Sequence, residues 1–210
     1  MAQVSKQNNY IFIHIFKTAG NSVRNILRQE QHEELMGVHV DIADVKRHMY
    51  AHGDKEFFDG AFKFTFVRNP YDWMVSLYHY IRRAQKHNFH DKAMNMTFKE
   101  WLQWFLEFMK TAPRKHGTNK YLTQYEFIID DQGEECVSWF RMEELDKHWP
   151  LICKTCLGRV EKLPRVNVSN NRDRDFSKYY DKESEQWVYD TFKKDFEKFG
   201  YERMEPRNTI

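Results

Sequence analysis

Lysine, threonine, glycine, asparagine and serine crowd into one short run, Lys17-Thr18-Ala19-Gly20-Asn21-Ser22. Placed where a strand turns into a helix, these residue types make an anion cradle. The start of a helix presents backbone N–H groups that have no partner within it, and Gly20 lets the backbone come close to a ligand. Thr18, Asn21 and Ser22 add side-chain hydrogen bonds, and Lys17 adds a point charge. A second group, Arg68-Asn69-Pro70 followed by Ser76, stands at another strand–helix junction. Arg68 is expected to leave the strand end with its guanidinium free to take a phosphate bidentately. Ser76 falls on the same helix face as Asp72, so Arg68 and Ser76 can hold one phosphate from two sides. Two anion sites on adjacent strand ends suit a ligand with two separated phosphates. This is not a Walker A loop, which places its lysine after the glycines. Here Lys17 precedes the only glycine of the run, and no convincing magnesium-holding aspartate follows a second strand.

The elements that must position these groups follow from pattern. Ile11–Phe16 is short, β-branched and aromatic, as a strand buried on both faces should be. A helix follows from about Asn21, with Val23, Ile26 and Leu27 on one face. Ala61–Val67 reads as a second strand. Asn69 as N-cap, Pro70 at the first helical position and Asp72 three residues after the cap mark a helix start. Phe98, Trp101, Leu102, Phe105 and Met109 form one helical stripe, with Trp104 and Phe108 off it. Phe127–Asp130 and Cys136–Phe140 read as strands around a turn at Asp131–Gly133. Another helix spans the region of Pro150, which should start or interrupt it. Gly158 to Ser177 reads mostly as loop. A last helix runs from a cap at Asp181 to a stop at Gly200. Alternating strands and helices predict an α/β fold with a mainly parallel central sheet flanked by helices, whose ligands sit at the carboxyl ends of strands.

With 210 residues the chain is long enough for one sizeable core, and no linker or repeat divides it. The reading is a single domain over 1–210, with its core at about 10–201. A net charge of +2 argues against general nucleic-acid binding, so any anion site is local. No apolar run reaches the ~18 residues of a membrane span. The opening residues lack the apolar region of a signal peptide. Three cysteines do not suggest a disulfide framework. The expectation is a cytoplasmic protein.

The stretches "IFIHIFKTAGNS" and "FKFTFVRNPYDWMVSLYHY" resemble the two cofactor motifs of the sulfotransferases that use 3′-phosphoadenosine 5′-phosphosulfate (PAPS). The chain is most similar to the carbohydrate-type family of heparan and chondroitin sulfotransferases, especially its short bacterial members. The likeness runs roughly from Tyr10 to Tyr201. It continues in "YLTQYEFIIDDQGEECVSWFRMEELDKHW", in "LPRVNVSN" and in "YYDKES…DFEKFGY". It implies a P-loop-NTPase-like sulfotransferase fold and transfer of a sulfuryl group to a hydroxyl, on a carbohydrate or glycosylated metabolite, without a metal. It also implies that Lys17, Thr18, Ala19, Gly20, Asn21 and Ser22 hold the 5′-phosphosulfate, and that Arg68 and Ser76 bind the 3′-phosphate. Two positions depart from the family pattern: Phe16 stands for a usual proline and Asn21 for a usual threonine.

In such a reaction Lys17 is expected to stabilise charge on the bridging oxygen, and a neutral histidine suits the general base. Of ten histidines, His39 in "GVHVDIADVKRHM" is the choice, with His48 and His52 as alternatives. His14, inside a strand, reads as a packed core residue. Cys153 and Cys156 form a lone C-x-x-C and read as structural. Arg82–His87 and the Arg114-Lys115-His116 group read as solvated, or as guides for an acidic acceptor. Arg165, Asn167 and Ser169 are possible cofactor contacts by resemblance. Gln124 and Arg141 stay open between a structural role and lining the site. Two rival readings remain: a nucleotide kinase-like phosphotransferase using ATP with magnesium, and a protein that binds adenosine 3′,5′-bisphosphate without turnover.

Overall fold

The computed structural model describes residues 2–28, 33–35, 40–112, 122–164 and 172–205, with the backbone alone for 33–35. These residues group into two compact units, one within Met1–Val67 and Pro113–Val166, the other within Arg68–Ala112 and Asn167–Ile210. Each unit is assembled from two separate stretches of chain, so no linker sequence marks a boundary.

The first unit is built on a five-stranded sheet: β1 (Ala2–Ser5), β2 (Tyr10–Ile13), β3 (Glu33–Leu35), β4 (Phe62–Val67) and β5 (Ser138–Arg141), in the order β3-β1-β2-β4-β5. β2 pairs parallel with β4, and β4 parallel with β5. β1 runs antiparallel to both β2 and β3. Four strands therefore share one direction, and the sheet is mainly parallel. The sequence reading missed β1, whose tight turn back into β2 is closed by Asn9 at φ 53°. Asparagine tolerates that left-handed conformation better than most residues.

One face of the sheet carries Tyr10 and Phe12 from β2 with Phe62, Phe64 and Phe66 from β4. The helices α1 (Gly20–Leu27) and α7 (Leu145–Leu157) cover it with Val23, Ile26 and Leu27, and with Trp149, Ile152, Cys153 and Cys156. Helices α2 (Ile42–Ala51) and α3 (Lys55–Gly60) lie on the long connection that crosses from β2 to β4. Where the β2–β4 ladder ends, the buried Thr65 hydroxyl donates to the Ile13 carbonyl at 2.7 Å. That bond fixes the last residue of β2, from which the Lys17 turn departs.

Four expectations in this unit need correction. The strand expected over Ile11–Phe16 is Tyr10–Ile13, so His14, Ile15 and Phe16 lie beyond its end. Phe127–Asp130 is not a strand. Tyr125–Phe127 closes into a 3-10 turn through Phe127 N–H to Gln124 and Ile128 N–H to Tyr125, leaving only a bridge between Ile129 and Glu135. The turn itself is as expected: the Asp130 carboxylate accepts from the Gln132 and Glu134 N–H groups, and Gly133 sits at φ 81°. Cys136–Phe140 is a strand only from Ser138. Pro150 neither starts nor breaks α7, because the burial of Trp149, Ile152, Cys153 and Cys156 outweighs one missing backbone bond.

The second unit is helical: α4 (Pro70–Arg83), α5 (His90–Asn95), α6 (Phe98–Thr111), α8 (Lys182–Thr191) and α9 (Lys193–Phe199). α4 opens as expected, with the Asn69 side chain accepting from the Tyr71 N–H at 3.0 Å and Pro70 in the first turn. Its interior is aromatic, with Tyr71, Trp73, Trp101, Phe105, Phe192 and Phe199 all fully buried. Trp104 and Phe108 pack against Phe89, each at 5.0 Å between ring centres, and so belong to this packing as well. The last helix is two, not one: the chain bends at Phe192 (φ −108°, ψ 23°), which buries that ring beside Trp73. Asp181 caps α8 through the Ser184 N–H, and Gly200 ends α9 at φ 64°.

Candidate functional site

The Lys17–Ser22 turn leaves the carboxyl end of β2 in the first unit. Lys17 and Ala19 both lie in the left-handed region, at φ 63° and 65°. Two such non-glycine residues within three positions store about 1–3 kcal/mol of backbone strain each. The turn persists because its base is tied: the buried Thr18 hydroxyl donates to the Ile15 carbonyl at 2.9 Å. Ala19 occupies the N-cap position of α1 and has no side-chain oxygen to offer, so no side chain caps this helix. No acidic residue falls in its first turn. The positive end of α1 therefore has no side-chain cap and no carboxylate in its own first turn, and Lys17 stands half-buried beside it. Asn21 is exposed and Ser22 buried.

Gly20 has a reason internal to the fold. A Cβ at this position would lie 1.9 Å from Cδ2 and 2.1 Å from Nε2 of His14. His14 is buried as expected and stacks on Phe12 with ring centres 6.1 Å apart. The imidazole thus fills the space that any larger residue at Gly20 would need.

Arg68 and Ser76 lie in the second unit, both buried. The Arg68 guanidinium is not free, as the sequence reading has it. Its Nε and Nη2 donate to Oδ2 of Asp72 at 2.8 and 2.5 Å, an i,i+4 pair closed by the first turn of α4. The other oxygen of Asp72 accepts from Nη1 of Arg172 at 2.5 Å. One carboxylate thus holds two guanidiniums. Sequence reasoning missed Arg172, since nothing in "SNNRDR" distinguishes it from a surface arginine.

A model described as the sulfotransferase family matches residues 1–202. The chain belongs to the sulfotransferase family. No match was found among curated proteins or among solved structures.

Of the three histidines considered as the base of this sulfotransferase, His48 lies on α2 and His52 at its end. His39 lies outside the described residues. His52 serves as the C-cap of α2: its Nδ1 donates to the His48 carbonyl at 2.8 Å, and the two rings are 4.2 Å apart. In the second unit, His79 stands one turn beyond Ser76 on α4. Its Nε2 is 2.9 Å from the Tyr179 hydroxyl, which also accepts from the Asp173 N–H at 3.1 Å. Burial, then the charges of Arg172, Arg82 and Arg83, push the His79 pKa below the ordinary histidine value, so it is neutral at pH 7.

Cys153 and Cys156 are core residues of the sulfotransferase. Burial pushes both thiols up, Cys156 to about 12. Arg82 is not a solvated end residue, since its Nη1 donates to the Tyr78 hydroxyl and the Ala93 carbonyl. Arg83, Lys86 and His87 line a shallow recess with Tyr80 at the end of α4. Gln124 is fully buried in the first unit and Arg141 partly so on β5. Arg114, Lys115, His116, Arg165, Asn167 and Ser169 lie outside the described residues. Among those described, no helix is long and apolar enough to cross a membrane.

Proposed function

We propose that this chain transfers the sulfuryl group of PAPS to an acceptor hydroxyl, on a carbohydrate or glycosylated metabolite. The observation that carries the reading is the Lys17–Ser22 turn: an uncapped helix start, preceded by a strained loop with a lysine, at the carboxyl end of a central parallel strand. Ala19, Gly20 and Asn21 offer backbone N–H groups to the 5′-phosphosulfate, with the Asn21 and Ser22 side chains beside them; the Ser22 N–H is given to the Ala19 carbonyl at 3.0 Å. The Thr18 hydroxyl proton is committed to Ile15, so Thr18 shapes the loop and offers only an acceptor lone pair or its backbone. Arg68 and Ser76 take the 3′-phosphate, the group that separates this donor from ordinary nucleotides.

The acceptor oxygen attacks sulfur in line as the bond from sulfur to the bridging oxygen breaks. The acceptor proton passes to a neutral histidine, for which His39 is the choice, and adenosine 3′,5′-bisphosphate leaves. Charge builds on the bridging oxygen, and Lys17 is the group chosen to stabilise it. As in phosphoryl transfer, positioning and charge stabilisation do most of the work.

The test is calorimetric binding of adenosine 3′,5′-bisphosphate, with ADP and ATP–magnesium as comparators. Tight binding that requires the 3′-phosphate is expected. Arg68→Ala should weaken it by ~1.5–3 kcal/mol, the range for a hydrogen bond to a charged group. A preference for ATP–magnesium would instead select a phosphotransferase. His39→Ala should abolish most transfer with bisphosphate affinity nearly intact; wild-type turnover in that variant would eliminate His39 as the base.

A further inference from the structure

Glu185 lies in the first turn of α8 in the second unit and has no exposed surface. Two side chains meet its carboxylate. The Tyr71 hydroxyl donates to Oε1, and Arg203 donates from Nε to Oε1 at 2.9 Å and from Nη2 to Oε2 at 2.7 Å. A buried carboxylate whose countercharge is taken away is strongly disfavoured. Arg203 supplies that countercharge, and no other cation meets Glu185 among the described residues. Burial, then the hydrogen bond to Glu185, push the Tyr71 pKa up, so the phenol keeps its proton for this bond.

Arg203 comes from the chain after α9, outside any helix or strand. It is fastened to α8 at three points: the Glu185 carboxylate, Oε1 of Gln186 at 2.5 Å from Nη2, and the Tyr189 ring, whose centre is 4.6 Å from the guanidinium carbon. Its side chain is 42% exposed and that of Glu185 0%, so Arg203 covers the carboxylate from the solvent side. The other end of the link is the start of α4, where Tyr71 is the second residue. Its N–H is taken by the Asn69 side chain, its carbonyl accepts the Tyr180 hydroxyl at 2.8 Å, and its ring packs on Tyr180 and Phe196 with centres 5.3 and 5.0 Å apart. The next residue, Asp72, receives Arg68 and Arg172. Whatever holds the Tyr71 phenol thus holds the turn that sets Asp72.

We propose that the segment carrying Arg203 is a latch on the start of α4: by neutralising Glu185 it fixes the Tyr71 phenol, and with it the helical turns that carry Asp72 and Ser76. Arg203 is a positioning residue, acting through Glu185 and Tyr71. Its effect on donor binding rests on the reading above that this helix start takes the 3′-phosphate; its effect on the order of α4 does not.

The test is amide hydrogen exchange over residues 71–77, read beside calorimetry with adenosine 3′,5′-bisphosphate, on wild type, Arg203→Met, Arg203→Lys and the double variant Arg203→Met/Glu185→Gln. Methionine keeps the cover over Glu185 without the charge. Glutamine still accepts from Tyr71 and has no charge to neutralise. Arg203→Met should speed exchange in the first two turns of α4 and weaken bisphosphate binding about 10-fold. Arg203→Lys should fall between it and wild type, and the double variant should return both readouts to wild type. That return separates action through Glu185 from a general loss of packing. If Arg203→Met exchanges and binds as wild type does, or if the double variant is as impaired as the single one, the latch is overturned. Should Arg203→Met not fold, the double variant decides, since the latch requires it to fold and bind as wild type does. If wild type does not bind the bisphosphate, the donor reading fails, and exchange alone decides the latch.

Discussion

Gly20→Ala should destabilise the protein, against the usual rule that alanine improves a helix. At an ordinary helical glycine the change gains up to about 1 kcal/mol. Here the new Cβ would overlap the His14 ring at 1.9, 2.1 and 2.8 Å, and that ring is stacked on Phe12 in a closed interior. The imidazole must move, or α1 must lift from the sheet. Overpacking of this kind typically costs about 1–3 kcal/mol and sometimes more. Because the same residues begin the Lys17 turn, bisphosphate affinity should fall as well. The measurement is a denaturant midpoint for wild type, Gly20→Ala, His14→Ala and the double variant. His14→Ala alone leaves a void and also destabilises. The double variant should be more stable than the two single losses predict, since the methyl enters the space the ring vacates. A Gly20→Ala protein as stable as wild type would show that His14 does not impose the glycine.

Lys17→Ala should reduce turnover about 10²–10³-fold, the usual loss when one group facing developing charge is removed. The substitution is clean at the backbone. Lys17 sits at φ 63°, and alanine, which also carries a Cβ, bears the same left-handed strain. The loss should fall on kcat more than on bisphosphate affinity, because the charge on the bridging oxygen grows as its bond to sulfur breaks. Steady-state kinetics beside calorimetry separate the two. An equal loss in both would make Lys17 a clamp on the bound donor rather than a transition-state group.

Much of this was legible beforehand because it depends on neighbours in the chain. The Asn69-Pro70 start of α4, the Asp181 cap and the Gly200 stop are local devices, and each is found where its residue type predicts it. The strand–turn–helix around Lys17 was readable for the same reason. Phe127–Asp130 misled because its β-type residues are outcompeted by 3-10 bonds and by the turn that Asp130 organises. The single helix expected before Gly200 divides because Phe192 is drawn into the aromatic interior beside Trp73.

The sequence by itself determined the α/β class and the two polar strand–helix junctions, at Lys17–Ser22 and at Arg68–Pro70, in their order along the chain. Residue type, spacing and caps act over a few positions, and those are printed in the chain. Only the tertiary structure decided that His14 demands Gly20, that β1 joins the sheet antiparallel, and that Asp72 gathers Arg68 with an arginine one hundred residues further on. Those outcomes depend on which side chains meet across the fold. A pairing between distant residues leaves no local mark, because each partner is satisfied by a group that its own neighbours do not reveal.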